Sequence, residues 1–318
     1  MFGSNTLGDG WVLPADNAAI TAAADLLRGG EIVAIPTATV YGLAAAASKA
    51  DAVAKIYAAK GRPDFNPLIV HVPDQAAAER LALFGEMADR LAAAFWPGPL
   101  TLVLALHDDA PVAKAVTAGL PTIAIRCPAH PVMQAVLAKC GLNLAAPSAN
   151  KSGGISPTRA EHVLSSLNGA VPLILDAGPC TAGLESTIVA VRENGWQILR
   201  PGPVTVEDIE AVLRCRPVAI VRDEIEAPGQ LASHYAPLKP IRLNAEVAKP
   251  GEWLIGYGAL GGDENLSSSG DLAIAAAHLF DALHRADSSD RATIAVAPIP
   301  NIGIGVAIND RLARAAAR

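Results

Sequence analysis

Short apolar runs of strand length alternate with Ala-rich segments of helix length over the first 200 residues, and this alternation restricts the chain to an α/β class. A helix is predicted from Asp16-Asn17 to Leu27-Arg28, capped by the Asp or Asn and stopped by Gly29-Gly30. A strand over 31–35 follows, then a helix over 50–59 and a buried strand over 68–72. Two amphipathic segments cover 74–94. Further strands are predicted at 100–106, 122–126, 142–145, 173–175 and 187–191, with helices near 131–139 and 157–167 between some of them. The pattern leaves parallel and mixed pairing both open.

From about residue 205 the character changes. One more helix is predicted over 206–215, and 216–239 then contains proline and shows no period. That stretch is long for a loop inside a compact domain, so it reads as a linker or a functional lid. A second, smaller alternation follows: strand 252–257, helix 271–285, strand 292–297 and helix 303–316. At 318 residues the length suits two domains, and 51% hydrophobic against 18% charged residues allows a sizeable core. The expected division is a catalytic domain over 14–204, a linker or lid over 205–239 and a small α/β domain over 240–318.

Net charge is −6 and the isoelectric point about 5.6, which argues against a dominant electrostatic grip on nucleic acid or anionic membrane. Met1 to Leu13 lacks the cationic and apolar regions of a secretion signal, and the longest uncharged run, 292–309, is broken by Pro and Gly. The expectation is therefore a cytoplasmic protein away from membranes. Cys127, Cys140, Cys180 and Cys215 form no CxxC pair, and no H-E-x-x-H or acidic cluster suggests a protein-held metal. Neither common glycine cradle for phosphates occurs, nor a GxSxG elbow.

Against that background, Lys60-Gly61-Arg62-Pro63-Asp64-Phe65-Asn66-Pro67 inverts the local sign of charge and feeds an apolar strand ending on His71. Two cations two residues apart, on a loop stiffened by two prolines, suit an anion with several oxygens. Arg126 ends another apolar strand, where a guanidinium needs solvent or an anion, and a carboxylate is its natural bidentate partner. Dispersed hydroxyls and cations on loops suit orientation and charge stabilisation more than covalent catalysis.

The basic loop stands in order with Pro36-Thr37-Ala38-Thr39-Val40-Tyr41-Gly42, Trp96-Pro97-Gly98-Pro99, Pro121-Thr122-Ile123-Ala124-Ile125-Arg126, Ala146-Pro147-Ser148-Ala149-Asn150 and Glu185-Ser186-Thr187. Together with Ser233-His234-Tyr235-Ala236-Pro237, these closely resemble the YrdC-like family in its two-domain form, the threonylcarbamoyl-AMP synthases. Ala38 and Ala44 depart from the usual Glu and Gly. The resemblance implies a twisted mixed sheet with flanking helices, a small C-terminal α/β domain and a long linker between them. It implies synthesis of L-threonylcarbamoyl-AMP from L-threonine, bicarbonate and ATP with release of pyrophosphate, Mg²⁺ riding on the ATP phosphates. It assigns Lys60 and Arg62 to catalysis as phosphate-neutralising cations. Arg62, Asn66, Thr122, Ser148, Ser156, Arg200 and Tyr235 fall to ATP; Thr39, His71, Arg126, the backbone at Ala146 and Ser186 fall to L-threonine. Hand-over to a tRNA threonylcarbamoyl transferase is implied, with direct tRNA contact left open. Two competing readings are a double-stranded RNA-binding module and a relative that adenylates carbamoyl phosphate. The low isoelectric point weighs against the first, and the lack of extra zinc-finger or transferase regions weighs against the second.

Overall fold

The computed structural model describes residues 11–218, 226–230 and 234–317. Ser233 of the linker signature and parts of the 216–239 segment thus lie outside the described residues. The chain begins β1 (Trp11–Pro14), α1 (Asn17–Arg28), β2 (Val33–Ile35), β3 (Gly42–Ala46), α2 (Ala50–Lys60) and β4 (Ile69–His71). It continues through α3 (Gln75–Glu79), α4 (Glu86–Phe95), β5 (Leu100–Ala105), α5 (Lys114–Thr117), β6 (Thr122–Arg126) and α6 (Pro131–Cys140). Then come β7 (Leu144–Ala145), α7 (Ala160–Leu167), β8 (Leu173–Asp176), β9 (Thr187–Arg192), β10 (Gly195–Arg200) and α8 (Val206–Leu213).

Local chemistry accounts for the clearest elements. Asp16 caps α1 by accepting from the Ala19 amide at 2.8 Å, and Ala19, Ala23, Ala24 and Leu27 form its buried stripe. Thr205 and Asp208 close a reciprocal capping box on α8. That helix lies at the start of the segment expected to be linker, yet it packs Ile209 and Leu213 into the main core.

Ten strands form one mixed sheet in the order β1-β8-β2-β3-β7-β4-β6-β5-β9-β10, the mixed architecture that the resemblance implied. The sequence pattern misses β1, β3 and β10. All five residues of β3, Gly-Leu-Ala-Ala-Ala, are buried, so they show neither alternation nor β-branched enrichment. Strand β10 is joined to β9 by the tight turn Glu193-Asn194, ahead of Gly195 at φ +134°.

The second body comprises β11 (Ile241–Arg242), β12 (Glu252–Gly256), β13 (Glu264–Asn265), α9 (Leu272–Ser288), β14 (Thr293–Val296) and α10 (Gly305–Ala316). Its four strands are all parallel, in the order β11-β14-β12-β13. Helices α9 and α10 dock against the first body. The apolar cluster around Leu279, Phe280 and Leu283 also takes in Val40, Ile155 and Leu184 from the large sheet's loops. Gly183, at φ +66°, brings backbone against backbone there: a Cβ would lie 2.4 Å from the Ala277 carbonyl oxygen. Asp281 on α9 accepts from Arg159 Nε at 3.1 Å across the same seam.

Candidate active site

The pleat of the central strands divides core from site. On β4, Val70 joins the helix-covered core while Ile69 and His71 face the other side. On β6, Ile123 and Ile125 enter the same core while Ala124 and Arg126 face away. Parallel pairing puts His71 level with Arg126. The segment after β7 continues the same floor, with the Ala146 amide donating to the Ile69 carbonyl at 3.0 Å. Among the described residues, no helix residue joins the small apolar cluster on this face of β4 and β6. Ala227, from the crossover segment, covers the small apolar cluster of Ile69, Val103, Ala124 and Ile188.

The Pro36-Thr37 turn forms the first wall. Thr37 Oγ1 accepts from the amides of Thr39 and Val40, both at 3.2 Å, and donates to the Val40 carbonyl at 2.6 Å. That turn presents the Thr39 hydroxyl to Arg126 Nη1, which donates to it at 2.7 Å, while Nε donates to the Gly98 carbonyl at 2.9 Å. Among the described residues, Arg126 Nη2 is buried without a hydrogen-bond partner, as is His71 Nδ1. Burial, and secondarily Arg126, pushes the His71 imidazole down to about 3, so it is neutral at ordinary pH.

Three guanidiniums line one cavity: Arg62, Arg126 and Arg200. Each is buried, and none has a carboxylate within salt-bridge distance among the described residues. Burial lowers Arg62 and Arg126 to about 10, with Arg200 adding to both shifts, which leaves them cationic at neutral pH. Arg62 is held by the carbonyls of Asn66 and Pro67, at 3.2 and 2.9 Å. Arg200 forks onto the Ser186 carbonyl at 2.9 and 3.1 Å. From the crossover segment, Gly229 at φ +90° lies against Arg200; a Cβ there would meet Arg200 Cδ and the Tyr235 hydroxyl, each at 2.8 Å.

Among the described residues, Glu185 is the one carboxylate lining the cavity. Its Oε1 accepts from Ser156 Oγ at 2.5 Å and its Oε2 from Arg311 Nε at 2.8 Å. Burial would raise this carboxyl, but Arg311 and then Arg200 outweigh it and hold it below the ordinary value. Among the described residues, no cluster of three or more His, Cys, Asp or Glu side chains could hold a metal ion.

Of the residues singled out in the sequence, Thr39, Arg62, His71, Arg126, Ala146, Ser148, Ser186, Arg200 and Tyr235 all line this cavity. Lys60 lies beneath it: its fully buried ammonium donates to the backbone carbonyls of Ser148 and Asn150. Asn66 is buried behind Arg62, with neither amide atom partnered, and Ser156 stands behind Glu185. Thr122 shares a face with Arg126 but lies four residues back, about 13 Å along the strand, and does not reach the cavity. Sequence reasoning assigned no role to Thr37, Glu185 or His234, although each stands inside or beside a quoted motif. Arg311 was missed altogether.

A buried cavity lined by three guanidiniums that have no carboxylate partner among the described residues, set on a mixed sheet and bordered by Gly229, His234 and Tyr235, defines a binder of small polyanions. The chain belongs to the Sua5/YciO/YrdC family, whose model, described as "Telomere recombination", matches residues 25–202. Residues 204–317 match a second family model, "Threonylcarbamoyl-AMP synthase, C-terminal domain". The threonylcarbamoyl-AMP synthase of Bacillus subtilis is 41% identical, the match covering 96% of this chain and 94% of that protein. That of Pyrococcus abyssi is 37% identical, with 93% of each covered. The crystal structure of P. abyssi Sua5 complexed with L-threonine superposes with a TM-score of 0.87 at 34% identity, covering 98% of both chains.

Proposed function

We propose that this chain makes L-threonylcarbamoyl-AMP from L-threonine, bicarbonate and ATP, releasing pyrophosphate. The observation that carries this reading is the juxtaposition of Arg126, with a buried unpartnered Nη2, and the two further cations Arg62 and Arg200 in one cavity. One guanidinium suits an amino-acid carboxylate, and the other two suit a polyphosphate.

In this proposal Arg126 pairs with the threonine carboxylate, while Thr39, neutral His71 and Ser186 read its hydroxyl and amine. The amine adds to bicarbonate-derived carbon, water leaves, and a carbamate forms. A carbamate oxygen then attacks the α-phosphorus, and the bond to the pyrophosphate oxygen breaks. Arg62 and Arg200 neutralise charge on the phosphates as it shifts toward the leaving group. Mg²⁺ arrives as part of the ATP substrate, since the cavity carboxylate is already engaged by Ser156 and Arg311. Ser148 and Tyr235 border the nucleotide, and the crossover segment excludes water from the carbamate. The labile product then passes to a tRNA-modifying transferase. No helix among the described residues is long and apolar enough to cross a membrane.

The test is incubation of the pure chain with ATP, Mg²⁺, bicarbonate and L-threonine, read by mass spectrometry. The adenylate should form only with all four present. Pyrophosphate release that ignores threonine would overturn the proposal.

A further inference from the structure

Arg311 sits on α10 of the second body, yet it is entirely buried and reaches two residues that line the cavity, Glu185 and Tyr235, and the backbone next to a third, Arg200. Its Nε donates to Glu185 Oε2 at 2.8 Å, and its Nη2 donates to the carbonyl of Pro201, the residue after Arg200, at 2.9 Å. Its guanidinium carbon stands 5.2 Å from the centre of the Tyr235 ring. Asp310 Oδ2 accepts from the remaining arm at 2.6 Å and is itself tied to Arg314. Each of the three guanidinium nitrogens thus donates to one acceptor.

The setting is rigid. The close approach of Gly183 to Ala277 fixes the height of α9 over the loop that carries Glu185. Arg159 and Asp281 fix it laterally. Tyr235 adopts φ +63°, a conformation an L-residue holds only when its surroundings impose it, and Phe280 and Arg311 flank its ring.

We propose that Arg311 is a positioning residue of the active site, supplied by the C-terminal body: it orients Glu185, the Arg200–Pro201 backbone and the Tyr235 ring together. The C-terminal body is then a built part of the nucleotide site and not an appended regulatory unit. Nucleotide binding is where the effect should fall, because Arg200 and Tyr235 stand on the ATP side of the function proposed above, on which this inference rests.

The test separates position from stability. Arg311→Met leaves Glu185 buried and unpaired, so it should lower both the melting temperature and the ATP affinity. Glu185→Gln combined with Arg311→Met removes both buried charges and should recover most of the melting temperature. Its ATP affinity, by calorimetry, should stay about tenfold or more below wild type. Arg311→Lys keeps the charge and loses the planar fork, so its affinity should fall between. In turnover, KM for ATP should rise more than KM for threonine. If the double variant binds ATP within about twofold of wild type, Arg311 is structural only and the inference is overturned. Should Arg311→Met fail to fold, the double variant and Arg311→Lys carry the same comparison. A wild-type chain that binds ATP but releases no pyrophosphate with threonine would sink the proposed reaction, and the affinity comparison would still judge Arg311.

Discussion

His71 and Arg126 stand level on the adjacent parallel strands β4 and β6, both buried, each with a polar atom that finds no partner among the described residues. A second positive charge at that level would face the guanidinium across one strand spacing, about 4.8 Å. The imidazole is accordingly held neutral, down to about 3, by burial first and Arg126 second.

His162 and His234 are likewise pushed to about 3 by burial, and this yields a pH prediction for stability. In the unfolded chain these imidazoles titrate near their ordinary value of about 6.5. Between that value and about 3 the unfolded state therefore binds more protons than the folded one. The stability is fully present above pH 6.5 and drains away as pH falls toward 3. By pH 5 the loss should reach the order of a few kcal/mol. Urea midpoints at pH 7, 6 and 5 should fall in that order; a constant midpoint would contradict the burial of these three rings.

Lys60 and Arg62 are two residues apart, and their variants should separate. Arg62→Ala removes a cavity guanidinium, so pyrophosphate release should fall by about 2–4 kcal/mol of transition-state stabilisation with little change in melting. Lys60→Met instead orphans the Ser148 and Asn150 carbonyls beneath the cavity. Each buried unpaired carbonyl costs about 1–3 kcal/mol, so this variant should lose melting temperature as well as activity. Equal melting temperatures for the two would refute the different placements.

Selectivity should run through the amino-acid hydroxyl. Valine matches threonine closely in shape, and it would leave polar groups around Thr39, His71 and Ser186 unpaired. The ratio of kcat/KM for threonine over valine should reach at least about 100, as in sites built to bond a hydroxyl. Comparable values for the two amino acids would move the threonine site elsewhere.

Tyr235→Ala should weaken ATP binding and lower the adenylate recovered per pyrophosphate released, because water would reach the carbamate. Gly229→Ala should do the same by a separate route, since its Cβ would push on Arg200 and the Tyr235 hydroxyl. Wild-type yields in both would make the crossover segment a tether.

Much of this site could be read from residue order, because a cation at the end of an apolar strand or inside a proline-stiffened loop is anomalous where it stands. Arg62 and Arg126 gave such signals. Lys60 gave the same one, and its ammonium donates to the Ser148 and Asn150 carbonyls, a contact that charge patterning does not contain. Strand β3 escaped because a fully buried Ala-rich run looks like neither period. Arg311 escaped because an arginine within an amphipathic helix ordinarily belongs to its polar face. Its signal was positional: it shares the apolar stripe of Ala307, Ile308, Leu312 and Ala315, where a charge has no reason to be unless something opposite requires it.

Glu185 and Arg311 are 126 residues apart in the chain. At translation rates of about 5–20 residues per second, a ribosome that has finished the first needs roughly 6–25 s to reach the second. Until α9 is made Val40, Ile155 and Leu184 have no cover, and until Arg311 is made the buried Glu185 lacks its salt-bridge partner. The nascent first body thus emerges with a sticky face that α9 and α10 must close, and any factor that slows synthesis after residue 200 lengthens its exposure.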